Sequence, residues 1–228
     1  WGRDAERGGD VMPVEAWFPT LVFYDDLHVS DATREAALAA IRDAVGEELL
    51  ATAPRCSAAE SPNTLHLDPR LAPLLGDLVP SVGRFLFEVL RCDPRCTDFF
   101  IGRCWPVVQN TAGQGELHRH AGALVSAVFY LDAPEGSGGI EFRKPYWSSY
   151  DHLVKQELTA VSFSQVTYAA VTNRLLLFAS DLFHRALPNT GHLPRPRMAI
   201  AFDIYSMTRI DRHEGGLPHV ENLKKLFS

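Results

Sequence analysis

From about residue 98 onward, the chain contains a series of short segments whose residue types are those of β-strands. Val, Ile, Leu, Phe, Tyr and Thr are frequent in each segment, and Gly, Pro, Asn or Asp residues lie at its ends. Regularly spaced strands of this length are typical of an antiparallel sandwich or barrel. The segments are 98–110, 116–132, 139–144, 162–171, 174–180 and 197–205.

The first half of the chain is predicted to be mainly helical. An early strand is expected within 16–27, and Ser30 or Asp31 can then cap a helix over 32–50. Residues 69–91 favour a second helical stretch, in which Pro80 kinks the helix or starts a new one. The arrangement predicts an α+β fold in which the helices pack on one side of the strands.

A single domain is expected from the length of 228 residues. Within it, residues 16–97 form the first strand and the supporting helices, 98–208 the catalytic core, and 209–228 a tail. The segment 145–160 interrupts the strands with aromatic and polar residues, so we expect it to form an insertion near one mouth of the barrel.

The net charge and the length of the apolar runs indicate which kinds of partner the protein is expected not to bind. The formal net charge of −6 and the absence of Lys/Arg blocks argue against nucleic-acid binding, which needs a basic face. Apolar runs such as 175–179 are too short to cross a bilayer, so no membrane association is expected and the cytoplasm is the expected compartment.

Four cysteines are too few for a fold that depends on disulfides. The spacing of Cys92, Cys96 and Cys104 would allow a zinc site, but buried free thiols beside a turn explain the same pattern. We therefore expect free thiols.

Three histidines and an arginine carry the chemistry of the core. His118 and His120 are two positions apart, so on a strand both side chains point to the same face. His184 follows a strongly apolar segment, and Arg197 begins the last predicted strand. Imidazole nitrogens bind metals, so two rings on one face are a ready pair of metal ligands. The alternative is that the histidines are polar residues at a barrel mouth that bind no metal.

Several separated motifs resemble one family of oxygenases. They are WFPTLVFYDDL (17–27), NTLHLDP (63–69), Trp105 at the strand before the site, HRHAGALVSAVFYLDAP with GGIEF (118–142), RLLLFASDLFH (174–184) and RPRMAIAFD (195–203). In this order they are similar to a bacterial and phage group of 2OG-Fe(II) oxygenases. The resemblance implies a double-stranded β-helix, a jelly-roll or cupin-like core with the N-terminal helices packed on one sheet.

The resemblance also implies a ligand set for iron(II). His118 and His184 match the two histidines of the family, while His120 stands where most of the superfamily has Asp or Glu. Two carboxylates remain alternatives for the third ligand. Glu116 lies two positions before His118 and would share its face, and Asp181 lies three positions before His184.

Further roles follow for residues around the ligands. Arg197 is expected to bind the far carboxylate of 2-oxoglutarate. Many relatives have a Ser or Thr two positions after this arginine, and in this chain that position is Ala199. Tyr130 and Ser126 are candidates to supply that missing hydroxyl, and Asn110 is a candidate to orient the cosubstrate. The substrate pocket is expected to be lined by Trp105, Tyr146, Trp147 and Tyr150.

The implied activity is that of an iron(II)- and 2-oxoglutarate-dependent oxygenase that uses O₂ and releases succinate and CO₂. We expect hydroxylation of an unactivated C–H bond in a small-molecule or amino-acid-like substrate, by a chain that could also form a homodimer. Two alternatives stay open. One is a three-histidine iron dioxygenase that does not use 2-oxoglutarate, and the other is a non-catalytic cupin-like binding module.

Overall fold

The computed structural model describes residues 18–46, 50, 63–95, 97–110, 113–149, 151–157, 159–190 and 195–208. The predicted tail 209–228, Tyr150, Cys56 and Cys96 lie outside these residues.

The N-terminal part consists of one strand and two helical regions. Strand β1 is Val22–Asp26 and helix α1 is Asp31–Val45. Two single turns of 3₁₀ helix, Leu65–Leu67 and Pro69–Leu71, lead into α2, Ala72–Gly83, which continues as a π-helical segment, Arg84–Val89. The Ser30 hydroxyl accepts a hydrogen bond of 3.1 Å from the Thr33 N–H, so Ser30 is the cap of α1. Pro80 lies inside α2 and does not start a new helix.

The remaining strands agree with most of the predicted segments. They are β2 Thr97–Gln109, β3 Val125–Asp132, β4 Gly139–Arg143, β5 Gln165–Ala169, β6 Arg174–Ala179, β7 His184–Ala186 and β8 Arg197–Thr208. The short strand β7 was not predicted.

One predicted segment is wrong at its start. The strand expected over 116–132 begins only at Val125, after a turn in which Gly122 has a φ of 91°. Because that conformation is not extended, it separates the two histidines of this segment from β3.

The strands form two antiparallel sheets. The major sheet has the order β1-β6-β3-β8-β2 and the minor sheet the order β5-β4-β7. In the major sheet β8 lies between β3 and β2, with Asp203 opposite Ser126 on β3 and opposite Arg103 on β2. Gln109 lies opposite Arg197 in the same pairing of β2 with β8.

Two hydrophobic cores lie on opposite faces of the major sheet, which explains why β3 and β6 are apolar at successive positions. On one face, side chains of the sheet pack against α1 and α2; on the other, they pack against the minor sheet. The helix-facing core includes Leu38, Ile41, Leu74, Leu78, Ala127, Phe129, Leu175 and Leu177. The core between the sheets includes Tyr130, Ile140, Phe142, Leu176, Phe178 and Ala199.

Within the described residues, Cys92 and Cys104 are free thiols and neither belongs to a group of potential metal ligands. Burial raises the pKa of Cys104 to about 12, so this thiol stays protonated. No helix in the described part of the chain has the length and apolar character needed to cross a membrane.

Candidate active site

Short backbone contacts bring three histidines together. His118 and His184 form an isolated antiparallel bridge, with N–H to O=C hydrogen bonds of 3.0 and 2.9 Å in the two directions. The His120 N–H donates to the Ser180 carbonyl at 2.8 Å, just after the end of β6. These bonds, and not a continuous strand as the sequence suggested, place His118 and His120 beside His184.

The three rings surround one point. Their centroids are 4.5 Å apart for His118 and His184 and 5.0 Å apart for each of the other two pairs. One ring nitrogen of each lies within 4.8 Å of the others, and no other His, Cys, Asp or Glu of the described residues joins this group. Glu116 and Asp181 are therefore outside it, and both residues are exposed.

Hydrogen bonds to main-chain carbonyls determine which ring nitrogen carries the hydrogen in two of these histidines. Nδ1 of His118 lies 2.8 Å from the Glu116 carbonyl oxygen, and Nδ1 of His184 lies 2.8 Å from the Leu182 carbonyl oxygen. A carbonyl only accepts, so Nδ1 carries the hydrogen in both rings, and in the neutral ring the lone pair is therefore on Nε2. That is the form in which imidazole binds a metal.

His184 is held in the neutral state that a metal ligand requires. Its side chain is buried, and only 4% of the residue is exposed. Burial, together with the charges of His118 and His120, lowers the pKa of His184 to about 3. The ring is therefore uncharged at neutral pH.

Nδ1 of the third ring, His120, faces a carboxylate. It lies 2.7 Å from Oδ1 of Asp203, which also accepts a 2.7 Å hydrogen bond from the Ser126 hydroxyl. Arg103 forms an ion pair with the other oxygen of Asp203. Burial alone would raise the pKa of Asp203, but the hydrogen bonds from His120 and Ser126 and the charges of His120 and Arg103 lower it below its ordinary value.

Sequence reasoning gave no role to Asp203. The available signal was a single acidic residue in the apolar strand MAIAFDIY, because a carboxylate is rarely buried without partners. Its contact with His120 depends on the pairing of strands far apart in the chain.

Arg197 is buried at the first position of β8, with 1% of the residue exposed. Its Nη1 donates to the carbonyl oxygens of Ser137 at 2.9 Å and Gly139 at 3.3 Å. Its guanidinium carbon lies 5.6 Å from the centre of the Tyr130 ring. The guanidinium is thus held in one orientation.

Gln109 completes the support of Arg197. Its Oε1 accepts a hydrogen bond from Nη2 of Arg197, and its Nε2 donates to the carbonyl oxygens of Gly113 and, at 2.6 Å, Leu187. The residue is 0% exposed. These contacts on both ends of the amide fix which end faces the guanidinium.

A single cavity connects the histidines with Arg197. It is lined by all three histidines and by Arg197, and also by the predicted site residues Trp105, Ser126 and Tyr130. The Trp105 ring packs on His120 at a centroid distance of 5.2 Å. Ser126 reaches the cavity, but its hydroxyl proton is used by Asp203.

Other predicted site residues lie away from this cavity. Asn110 is not among its lining residues, and its amide lies 3.5 Å from the Leu50 carbonyl. Tyr146 and Trp147 are 53% and 75% exposed and do not line it either. Tyr150 lies outside the described residues.

The part of the chain that holds the site matches a known family. A family model described as "Putative 2OG-Fe(II) oxygenase" matches residues 103–203, a range that contains the three histidines, Asp203 and Arg197. Over this range the chain is similar to the 2OG-Fe(II) oxygenases. None of the curated proteins matches it significantly in sequence.

Solved structures show the same fold at low sequence identity. The chain is similar to the non-heme alpha ketoglutarate dependent epimerase SnoN from nogalamycin biosynthesis, with 12% identity over 86% of this chain and 83% of that chain and a TM-score of 0.56. AviO1 from Streptomyces viridochromogenes Tue57 has 12% identity over 88% and 93% of the two chains and a TM-score of 0.54. HygX from Streptomyces hygroscopicus, with nickel and 2-oxoglutarate bound, has 13% identity over 82% of each chain and a TM-score of 0.52. The predicted double-stranded β-helix is thereby confirmed.

The residues present suit the cofactors of this family, which are iron(II), 2-oxoglutarate and O₂. Three imidazoles can occupy three metal positions and leave others open for cosubstrate and O₂. The usual set for such centres is two histidines and one carboxylate, so a third imidazole in place of the carboxylate is a departure.

Proposed function

We propose that this protein is an iron(II)- and 2-oxoglutarate-dependent oxygenase that hydroxylates an unactivated C–H bond of a small-molecule or amino-acid-like substrate. One oxygen atom of O₂ enters the substrate as a hydroxyl group and the other enters succinate, while 2-oxoglutarate loses CO₂. The observation that best supports this proposal is the single cavity lined by the three histidines and Arg197. A metal-binding group and a buried cation in one cavity provide for both ends of a keto diacid.

In this proposal His118, His120 and His184 bind iron(II) through Nε2. The metal supplies the oxidising chemistry, and the protein contributes binding and orientation. The carbonyl oxygens that accept from Nδ1 of His118 and His184 keep those rings turned toward the metal position.

Arg197 binds the far carboxylate of 2-oxoglutarate in this proposal. A guanidinium pairs with a carboxylate through two parallel hydrogen bonds, and burial strengthens the charge interaction. Tyr130 and Gln109 hold the planar group in place, so the cosubstrate meets a preformed partner.

We propose that Tyr146 and Trp147 contact the substrate, because the segment that contains them starts beside His184. This connection leaves β4 at Arg143, whose N–H donates at 2.9 Å to the carbonyl of Phe183, the neighbour of His184. Lys144 anchors the segment through a 2.7 Å ion pair with Asp151. Exposed aromatic rings on a segment that starts beside a metal ligand are suited to contact a substrate.

The proposed function is tested by replacing His184. Purified wild-type protein with iron(II), 2-oxoglutarate and O₂ should release succinate and CO₂ in equal amounts, and substrate should accelerate the release. We expect His184→Ala to reduce succinate release by at least about a hundredfold, because two remaining ligands hold the metal poorly. The matched control is His28→Ala, since His28 is exposed and outside the ligand group.

Two outcomes would contradict the proposal. Normal succinate release by His184→Ala would show that the ligand set is wrong. Consumption of O₂ with a substrate but without any need for 2-oxoglutarate would show that the protein is a dioxygenase of another class.

A further inference from the structure

A buried carboxylate lies directly behind the one ligand position where a carboxylate is missing. Asp203 is 0% exposed on β8, in the middle of the major sheet. Strand register places Ser126 opposite it on one side and Arg103 on the other. Because β8 is an inner strand, its backbone leaves Asp203 little freedom to move.

The two oxygens of Asp203 have different partners. Oδ1 faces His120 Nδ1 and the Ser126 hydroxyl, each at 2.7 Å, while Oδ2 faces Arg103. An ion pair that served only to stabilise the sheet would need Arg103 alone. Oδ1, the oxygen that does not pair with Arg103, instead faces the ring of His120.

Among the three rings, His120 is the one held by a charged group. His118 and His184 are held by main-chain carbonyls, which cannot change their hydrogen-bonding role. A carboxylate also fixes Nδ1–H as the donor, and it adds a negative charge one imidazole away from the metal position.

We infer that Asp203 is a positioning residue for the metal centre, which acts through His120 to fix its Nε2 lone pair and to supply the negative charge that the third imidazole lacks. The inference rests on the proposed function in so far as the metal binds at the three histidines. The pair His120–Asp203 then replaces the single Asp or Glu of the usual ligand set. The negative charge lies on Asp203, separated from the metal position by the imidazole of His120.

The geometry predicts a specific effect of Asp203→Asn. Arg103 only donates, so the new amide should turn its oxygen toward Arg103 and its NH₂ group toward His120 and Ser126. The NH₂ group would take the place of Oδ1, 2.7 Å from Nδ1 of His120, and so lie closer than the Ser126 Oγ at 3.0 Å. We therefore expect Nδ1 to accept from it, so that the hydrogen moves to Nε2, which can no longer bind a metal. Asn behind a catalytic histidine produces the wrong tautomer in serine proteases by the same logic.

The first test reads the tautomers in the metal-free protein by ¹⁵N NMR of the imidazole nitrogens at pH 8. In wild-type protein, all three rings should carry hydrogen on Nδ1. In Asp203→Asn, His120 should change to Nε2–H while His118 and His184 stay as they were. A wild-type His120 with hydrogen on Nε2 would overturn the inference even if the variant did not fold.

The second test measures the binding of iron(II) alone, by anaerobic equilibrium dialysis. We expect Asp203→Asn to weaken binding by roughly 10- to 100-fold. In a His120→Ala background the same change should have no further effect, because the link acts through His120. Equal, additive losses in both backgrounds would mean that Asp203 is only structural.

A matched control is Asp132→Asn, since Asp132 is a partly buried strand residue paired with Arg195 at 3.1 Å and lies outside the ligand group. Its iron(II) affinity and its tautomers should equal those of the wild type. If wild-type protein bound no iron(II), the proposed function would fail, yet the NMR test would still decide the link between Asp203 and His120. If wild-type and Asp203→Asn proteins bound iron(II) equally well, the function would stand and the inference would fall.

Discussion

At the scale of single residues, the site combines three histidine rings with one buried cation and one buried anion. Arg197 and Asp203 are both almost completely buried, and a buried charge is costly unless hydrogen bonds surround it. Each has them: Gln109 and two carbonyls for Arg197, and His120 with Ser126 for Asp203. The charges are thus preorganised before any cosubstrate binds.

Gln109 offers a prediction at this scale. Gln109→Leu removes the acceptor for Nη2 of Arg197 while keeping a similar volume. Loss of a hydrogen bond to a charged group costs about 1.5–3 kcal/mol, so we expect 2-oxoglutarate to bind at least about tenfold more weakly. Iron(II) affinity should stay unchanged, since Gln109 contacts none of the histidines. Isothermal titration under anaerobic conditions measures both affinities, and a loss of iron(II) affinity alone would contradict the assigned role.

The sequence predicts the types of these residues better than their contacts. His118, His120, His184 and Arg197 are recognisable as candidates because metal ligands and anion-binding residues are limited to a few types. The contact of Asp203 with His120 spans 83 positions and depends on which residues of β3 and β8 are paired. A shift of one residue in that pairing would turn Asp203 to the other face of the sheet.

At the scale of elements, β6 links the two cores. Leu177 faces the helices, whereas Phe178 faces the minor sheet and packs on His184 at a ring-centroid distance of 4.7 Å. Successive residues of one strand therefore serve different cores, because side chains alternate between faces.

A pair of substitutions separates these roles. Leu177→Ala should lower the free energy of unfolding by about 2–5 kcal/mol. Iron(II) affinity should stay unchanged, because the void left by the substitution lies on the face of the sheet that packs against the helices. Phe178→Ala should lower it by about 3–5 kcal/mol and also weaken iron(II) binding, because His184 loses the ring that supports it. Urea unfolding and anaerobic dialysis measure the two quantities. Equal effects of both variants on iron(II) binding would contradict the separation of the cores.

Element boundaries explain where sequence analysis failed. The apolar runs of β3 and β6 predict strands well, and the helical spacing with Ser30 predicts α1. The segment before β3 resembles a strand in composition, but only His118 makes a bridge there, and Gly122 turns the chain. Bridges of single residues depend on tertiary contacts and leave no periodic pattern in a sequence.

At the scale of the whole molecule, the major sheet supports the site from behind. Its helix-facing side is covered by α1 and α2, so its other side can hold Ser126, Asp203 and Arg197 toward the minor sheet, where His184 begins β7. The division into supporting residues 16–97, catalytic core 98–208 and tail 209–228 stays a prediction, as does a homodimer.

The most direct test of the central claim is an anaerobic titration of the iron(II)-loaded protein with 2-oxoglutarate, followed by visible absorption. A charge-transfer band arises when the keto acid chelates iron(II), so we expect it to appear and saturate in the wild type. His120→Asp should retain the band, because a carboxylate can take the ligand position, and His120→Ala should lose it. No band in the wild type, or an undiminished band in His120→Ala, would contradict the claim that His118, His120 and His184 bind the iron of a 2-oxoglutarate-dependent oxygenase.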